Sequence, residues 1–195
     1  NHSASRGTAM HKFLEHHVLG TGYEDLTLIG NEARPMAQKI VEVGLTPVEE
    51  YYGSEVMLHY PGLYAGSTDL ICLHNDMETV VDFKQSNRPK KKEWIEDYYL
   101  QIAAYAMAHD YVYGSKIQQG VIMICTPDLY YQEFKVEGLE LRKYKHKFLK
   151  RLDMYNELIH DEKERAKVDP STLLKEFERD TQNDPFKGTN MEGKD

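Results

Sequence analysis

The chain has 195 residues, of which 41% are hydrophobic and 29% charged, and its net charge is −8. That length suits one domain with a sizeable core, and the balance is that of a globular protein rather than a fibrous or disordered one. No apolar run is long enough to cross a membrane and no secretory pattern opens the chain, so a reducing intracellular compartment is expected: a bacterial or phage-infected cytoplasm, or a mitochondrial matrix.

The first residue is asparagine, which leads us to expect a processed start with sequence upstream. A helix is predicted over 5–18, where Met10, Phe13, Leu14 and Val18 repeat at helical period and Ser5 is a candidate N-cap. Gly20, Thr21 and Gly22 break it. A second helix is predicted over 31–43, ending at Gly44, with Pro35 in its first turn where proline is tolerated. Strands follow over 53–60, 63–73 and 78–84, joined by turns at Pro61-Gly62 and His74-Asn75-Asp76, which makes an antiparallel meander. A polar loop over 86–92 leads into a helix over 92–113 with the stripe Ile95, Tyr99, Ile102 and Ala106, stopped by Gly114. The apolar run 121–125 suits a central strand and the alternating run 129–136 an edge strand. An amphipathic helix is predicted over 138–167, carrying Leu141, Tyr144, Phe148, Leu152, Tyr155 and Ile159 on one side. Pro170 ends it, a short helix is predicted over 171–179, and the polar tail from 181 is expected to be disordered. The implied fold is α/β (α+β with a mixed sheet): one domain over 1–180, with a helix crossing between strands.

The two cysteines, Cys72 and Cys125, sit in strand-like runs and read as small buried hydrophobes. Two thiols cannot supply the four ligands of an iron–sulfur cluster, so none is expected. A net charge of −8 argues by itself against nucleic-acid binding. The cations are clustered, however: Arg88, Lys90, Lys91 and Lys92 follow one another, and Arg142 to Arg151 carries Lys143, Lys145, Lys147 and Lys150 between. A basic groove on an acidic protein is compatible with that pattern.

The most informative stretch is Gly66-Ser67-Thr68-Asp69, then Asp82-Phe83-Lys84, then Gln101 to Tyr105. Alternation along a strand puts Val80, Asp82 and Lys84 on one face and Val81 and Phe83 on the other. A tight turn allows Asp69 to lie across from Asp82. Their oxygens can then share a hard cation such as Mg²⁺, with Lys84 placed beside a metal-bound water or a phosphate. A lone D-x-K is more often a strand-edge salt bridge. Here the apolar flank Val80-Val81 implies burial, where unpaired carboxylates are costly, and a cation would relieve two like charges. Gln101 and Tyr105 are one helical turn apart, which fits either a polar helix boundary or a pair above the site. His11 on the first helix is a boundary residue or a nitrogen ligand that would shift preference toward Mn²⁺.

The ordered pattern Arg6-Gly7-Thr8-Ala9-Met10-His11…Glu15, Gly66 to Asp69, Asp82 to Lys84 and Gln101 to Tyr105 resembles the RecB-like branch of the PD-(D/E)XK nuclease superfamily. It is most similar to the mitochondrial genome maintenance exonuclease and its phage-encoded relatives, over about residues 5–158. The resemblance implies a nuclease core in which His11, Asp69, Asp82 and the backbone carbonyl of Phe83 ligate Mg²⁺ or Mn²⁺. Lys84 would be the catalytic lysine, Gln101 and Tyr105 the residues beside it, and Glu55 a supporting acid. Arg6, Ser86, Arg88, Lys90, Lys91, Lys92 and Tyr105 are expected against DNA; Trp94, Tyr98 and Tyr99 can stack on bases, although core packing is the expected role of most of them. The implied activity is hydrolysis of DNA from an end, preferring single strands, with replication or recombination proteins as possible partners. A structure-specific flap endonuclease and a non-catalytic DNA-binding module are the alternatives. The chain lacks the cluster cysteines that some relatives carry, and the segment that relatives usually have before the Arg6-Gly7-Thr8 motif is expected to have been cut away or not included here.

Overall fold

The computed structural model describes residues 1–60 and 64–159 and, beyond them, residues 171, 174, 175 and 179. Helix α1 (His2–Leu19) starts earlier than predicted, because Asn1 rather than Ser5 caps it. Asn1 Oδ1 accepts from Ser3 N at 2.9 Å, and Ser5 N already donates to Asn1 O as part of the first turn. Helix α2 (Leu28–Lys39) also starts early. Asp25 accepts from both N and Oγ1 of Thr27, and Thr27 Oγ1 in turn accepts from Gly30 N, so the cap lies upstream of the expected one. Pro35 therefore falls inside the helix rather than in its first turn. The helix widens into a π turn, Ile40–Gly44, before the chain enters the sheet.

Five strands follow: β1 (Val48–Tyr60), β2 (Tyr64–His74), β3 (Met77–Gln85), β4 (Gln119–Cys125) and β5 (Tyr131–Glu137). They pair in sequence order, antiparallel except for the parallel pair β3–β4. β1 is longer than its alternation suggests because register shifts at 48–50 and 51–53 break the period of two. The β2–β3 hairpin turns through Asn75 and Asp76, both at positive φ (49° and 62°), the geometry that suits the strands' twist.

The parallel β3–β4 step requires a crossover, and helix α3 (Glu96–Tyr113) supplies it. The single helix expected from 92 is split. A 3₁₀ turn, Lys92–Trp94, precedes a break at Ile95 (φ −115°, ψ 26°), whose buried side chain anchors the junction. Gly114 ends α3 at φ 63°. Helix α4 (Gly138–Ile159) returns across the same face. Leu141 and Leu149 are its buried contacts, and Phe148 is only half-buried.

Alternation on the strands splits the core in two. Leu70, Cys72, Val81, Phe83, Val121 and Met123 pack under α1 and α2. Ile71, Val80, Ile122, Ile124 and Val136 pack under α3 and α4. The Pro61-Gly62 turn, the run of α4 past 159, most of the 171–179 helix and the tail from 181 lie outside the described residues.

Candidate active site

The β2–β3 ladder ends at the pair Leu70–Val81, so one further step sets Asp69 facing Asp82. The two carboxyls are near enough for each to shift the other's titration. They meet at the rim where α1 and α3 both reach the sheet. Asp69 Oδ2 accepts from Phe83 N at 2.7 Å and lies 3.3 Å from His11 Nε2 on α1. Asp82 Oδ2 lies 3.0 Å from Lys84 Nζ, on the α3 side.

Burial first, and then the charge of Asp69, push the Asp82 carboxyl up to about 7, against the pull of Lys84. Burial would raise Asp69 as well, but the hydrogen bond and charge of His11 outweigh it and hold Asp69 low. Burial disfavours the His11 cation, yet the hydrogen bond and charge of Asp69 raise it to about 9. Two carboxyls thus share one buried pocket, and one of them is held protonated near neutrality.

Carboxylate oxygens, a carbonyl and an imidazole nitrogen are the donor types that a divalent cation takes. Asp82 Oδ2 is buried and makes no well-formed hydrogen bond, and its near neighbour is the Lys84 ammonium at 3.0 Å. His11 Nδ1 donates to Gly7 O at 2.8 Å, which leaves Nε2 turned toward the carboxylates as in an oriented ligand. Phe83 N–H points to Asp69, and in an extended strand the carbonyl of the same residue faces the same edge, beyond the end of the β2–β3 pairing. These donors meet in pairs. Among the described residues no three His, Cys, Asp or Glu side chains converge on a common point.

Lys84 Nζ donates to Gln101 Oε1 at 3.1 Å, and Gln101 Nε2 donates to Tyr105 Oη at 3.0 Å. The ammonium also stands 4.8 Å from the Tyr98 ring centre. Burial would lower its pKa, but the charge of Asp82 raises it, so Lys84 is a fixed cation. Tyr105 packs over Gly66 of β2. Glu55 stands level with Asp69 across β1–β2, in the left-handed region at φ 50°. Burial and the Asp69 charge raise its pKa. It lines a cleft of about 510 Å³ with Ser3, Thr8, His11, Asp69 and Lys84.

The expected DNA contacts divide. Arg88, Lys91 and Lys92 are exposed, and Lys92 is paired with Glu140 at 2.8 Å. Ser86 is buried, and its Oγ donates to Arg88 O, so it shapes the loop. Arg6 is committed inside the protein. It is buried, with Nε on Gln85 Oε1 at 3.0 Å, Nη2 on Asn87 Oδ1 at 2.6 Å and Nη1 on Glu32 at 3.5 Å. Gln85, Asn87 and Glu32 were not singled out by the sequence, since nothing local marks side chains that meet Arg6 across 79, 81 and 26 residues. On α4, Lys147 and Arg151 pair with Glu96 and Asp97 at the start of α3, so part of that basic run joins two helices.

Among solved structures, the fold matches a candidate exonuclease from Eubacterium rectale with a TM-score of 0.54 at 13% identity, over 79% of this chain and 66% of that one. SSO0001 (TM-score 0.36, 18% identity, 80% of this chain and 86% of that one) is more distant. So is the alkaline exonuclease LHK-Exo from Laribacter hongkongensis (TM-score 0.33, 16% identity, 78% of this chain and 81% of that one). The chain therefore shares its α/β fold with the Eubacterium rectale protein and spans just under two thirds of that protein's length. No protein-family model matches the sequence, and no curated protein matches it. No helix among the described residues is long and apolar enough to cross a membrane.

Proposed function

We propose that this protein is a metal-dependent DNA exonuclease of the RecB-like PD-(D/E)XK type, hydrolysing phosphodiester bonds from single-stranded ends in replication, repair or recombination. The supporting observation is the buried Asp69–Asp82 pair, with an unmet acceptor on Asp82 and a fixed ammonium beside it. Asp69, Asp82, His11 Nε2 and the Phe83 carbonyl are the groups that would hold Mg²⁺ or Mn²⁺, whose chemistry is to acidify a water and draw charge from a phosphate oxygen.

The chain's own groups do the rest. Lys84 stands where negative charge grows on the phosphate, and Gln101 and Tyr105 keep its ammonium aimed. Glu55 adds a carboxyl to the lining of the same cleft. The loop carrying Arg88, Lys90 and Lys91 draws the polyanion toward that rim. The free, buried Cys72 and Cys125 support a reducing compartment.

End-labelled single- and double-stranded DNA, incubated with Mg²⁺, Mn²⁺ or EDTA, tests the reading. We expect mononucleotide or short products from single strands, with either metal and not with EDTA. Cutting of a closed single-stranded circle would favour an endonuclease, and binding without any cleavage would leave an accessory module.

A further inference from the structure

We infer that Trp94 and the loop before it form a landing site for a single-stranded polynucleotide, in which a base stacks on the indole while Arg88 and Lys90 take the flanking phosphates. This rests on the nuclease reading for what happens at the rim, but the surface has its own evidence. Trp94 is 62% exposed, an unusual placement for a large aromatic ring, and it lies directly before α3, the helix that carries Tyr98, Gln101 and Tyr105. Lys91 Nζ lies 5.1 Å from the indole centre, so one face carries a cation, the arrangement that favours a stacked anionic strand. Four residues on, the Tyr98 ring receives Lys84 Nζ. Four residues of 3₁₀ and α backbone rise roughly 6–8 Å, about one nucleotide's reach, so a strand leaving Trp94 comes next to the candidate active site.

Charge and rigidity point the same way. Lys92 is paired with Glu140, Glu96 with Lys147, and Asp97 with Arg151. Arg88 and Lys90 have no ion-pair partner among the described residues, so Arg88, Lys90 and Lys91 stand against the single carboxylate Glu93. The backbone beneath them is already fixed. Lys90 N donates to Gln132 Oε1 at 2.7 Å, Gln132 Nε2 donates back to Lys90 O at 2.8 Å, and Ser86 Oγ holds Arg88 O. A preorganised loop with Arg88 and Lys91 exposed and Lys90 half-buried at its edge binds with little ordering cost. A duplex hides its base faces, so stacking on Trp94 selects the single strand.

Trp94 is the chain's one tryptophan, which makes its fluorescence a direct reporter. Wild-type protein in EDTA, where binding is seen without cleavage, is titrated with a short oligothymidylate and with a blunt duplex of equal length. We expect quenching by the oligothymidylate and little by the duplex. Trp94→Ala should weaken oligothymidylate binding about tenfold and duplex binding little, while Trp94→Phe retains most of the affinity. Unfolding temperatures close to wild type would show that the fold survives. Binding of the oligothymidylate without quenching, Trp94→Ala binding as wild type does, or an equal loss on strand and duplex overturns the inference. So does quenching that follows protein concentration instead of nucleic acid, the mark of a protein contact. Cleavage by the wild type alongside any of these leaves the nuclease reading standing. Quenching without cleavage in Mg²⁺ or Mn²⁺ sinks that reading and keeps this one.

Discussion

The ring of Tyr105 lies so close over Gly66 that a Cβ there would sit 3.1 Å from Cε1 and 3.4 Å from the hydroxyl. The glycine lets α3 approach β2, and the approach lets Tyr105 reach Gln101 and, through it, Lys84. Gly66→Ala should push the ring aside, loosen the relay and lower kcat about tenfold with KM little changed. In a Tyr105→Ala background the space is already vacant, so adding Gly66→Ala should cost nothing more. Equal losses in both backgrounds, measured as a double-mutant cycle, would show that the contact is not coupled to the lysine.

Lys84 and Asp82 are joined at 3.0 Å in a buried rim. Lys84→Met should lower cleavage by at least about 10²–10³-fold, the scale of losing one preorganised charge at a reacting phosphate. Asp82→Ala should abolish it. Far-ultraviolet circular dichroism should match wild type for both, because Lys84 is partly exposed and Asp82 contributes repulsion as well as attraction. Digestion at wild-type rate by either purified variant would remove the site from consideration.

The order of elements and the pairing of β1, β2 and β3 were legible because apolar alternation and the Asn75-Asp76 turn are local signals. The same alternation placed Asp82 and Lys84 on one face and Phe83 on the other, as the two core clusters show. What was not legible depends on partners distant in the chain. The start of α2 moved because Asp25 orders Thr27, the helix over 92–113 broke at Ile95, and bulges hid the first half of β1. Arg6 was expected against DNA because the resemblance implied it, and no local signal shows which side chains meet it in the fold. Only the fold shows that Gln85, Asn87 and Glu32 already occupy it.

That network makes Arg6 a structural clamp between α1 and the loop after β3. Arg6→Ala should destabilise the protein by roughly 2–4 kcal/mol, since it leaves a buried cavity and unpaired acceptors on Gln85 and Asn87. Arg6→Lys should recover little, because a lysine lacks the planar fork that binds three partners. Urea unfolding reads this directly. A loss below about 0.5 kcal/mol, the range of ordinary surface changes, would show that the clamp is unimportant.

The acid pair sets a pH dependence with a definite sign. Folded Asp82 keeps its proton up to about 7 against an ordinary value of 3.8, so between these the folded state binds more protons and stability falls as pH rises. Folded His11 keeps its proton up to about 9 against 6.5, so its stabilising charge is complete below 6.5 and lost as pH climbs to about 9. Asp69, held low, acts with the opposite sign only at more acid pH. In protein stripped of metal by EDTA, Asp82 and His11 should therefore remove stability between about pH 4 and about pH 9, while buried His74 and half-buried His109, held below the ordinary histidine value, act the other way below about pH 6.5. Asp82→Asn should flatten the lower half of that fall and raise Tm at pH 7 by roughly 2–4 °C. His11→Gln should flatten the upper half. Saturating Mg²⁺ or Mn²⁺ should oppose the fall above pH 7, where a cation takes the place of the protons and binds only the folded state. A Tm at pH 8 that Mg²⁺ and Mn²⁺ leave unmoved would mean that the two carboxyls do not share a cation site, and an Asp82→Asn profile in EDTA parallel to wild type would mean that Asp82 does not hold its proton in the fold.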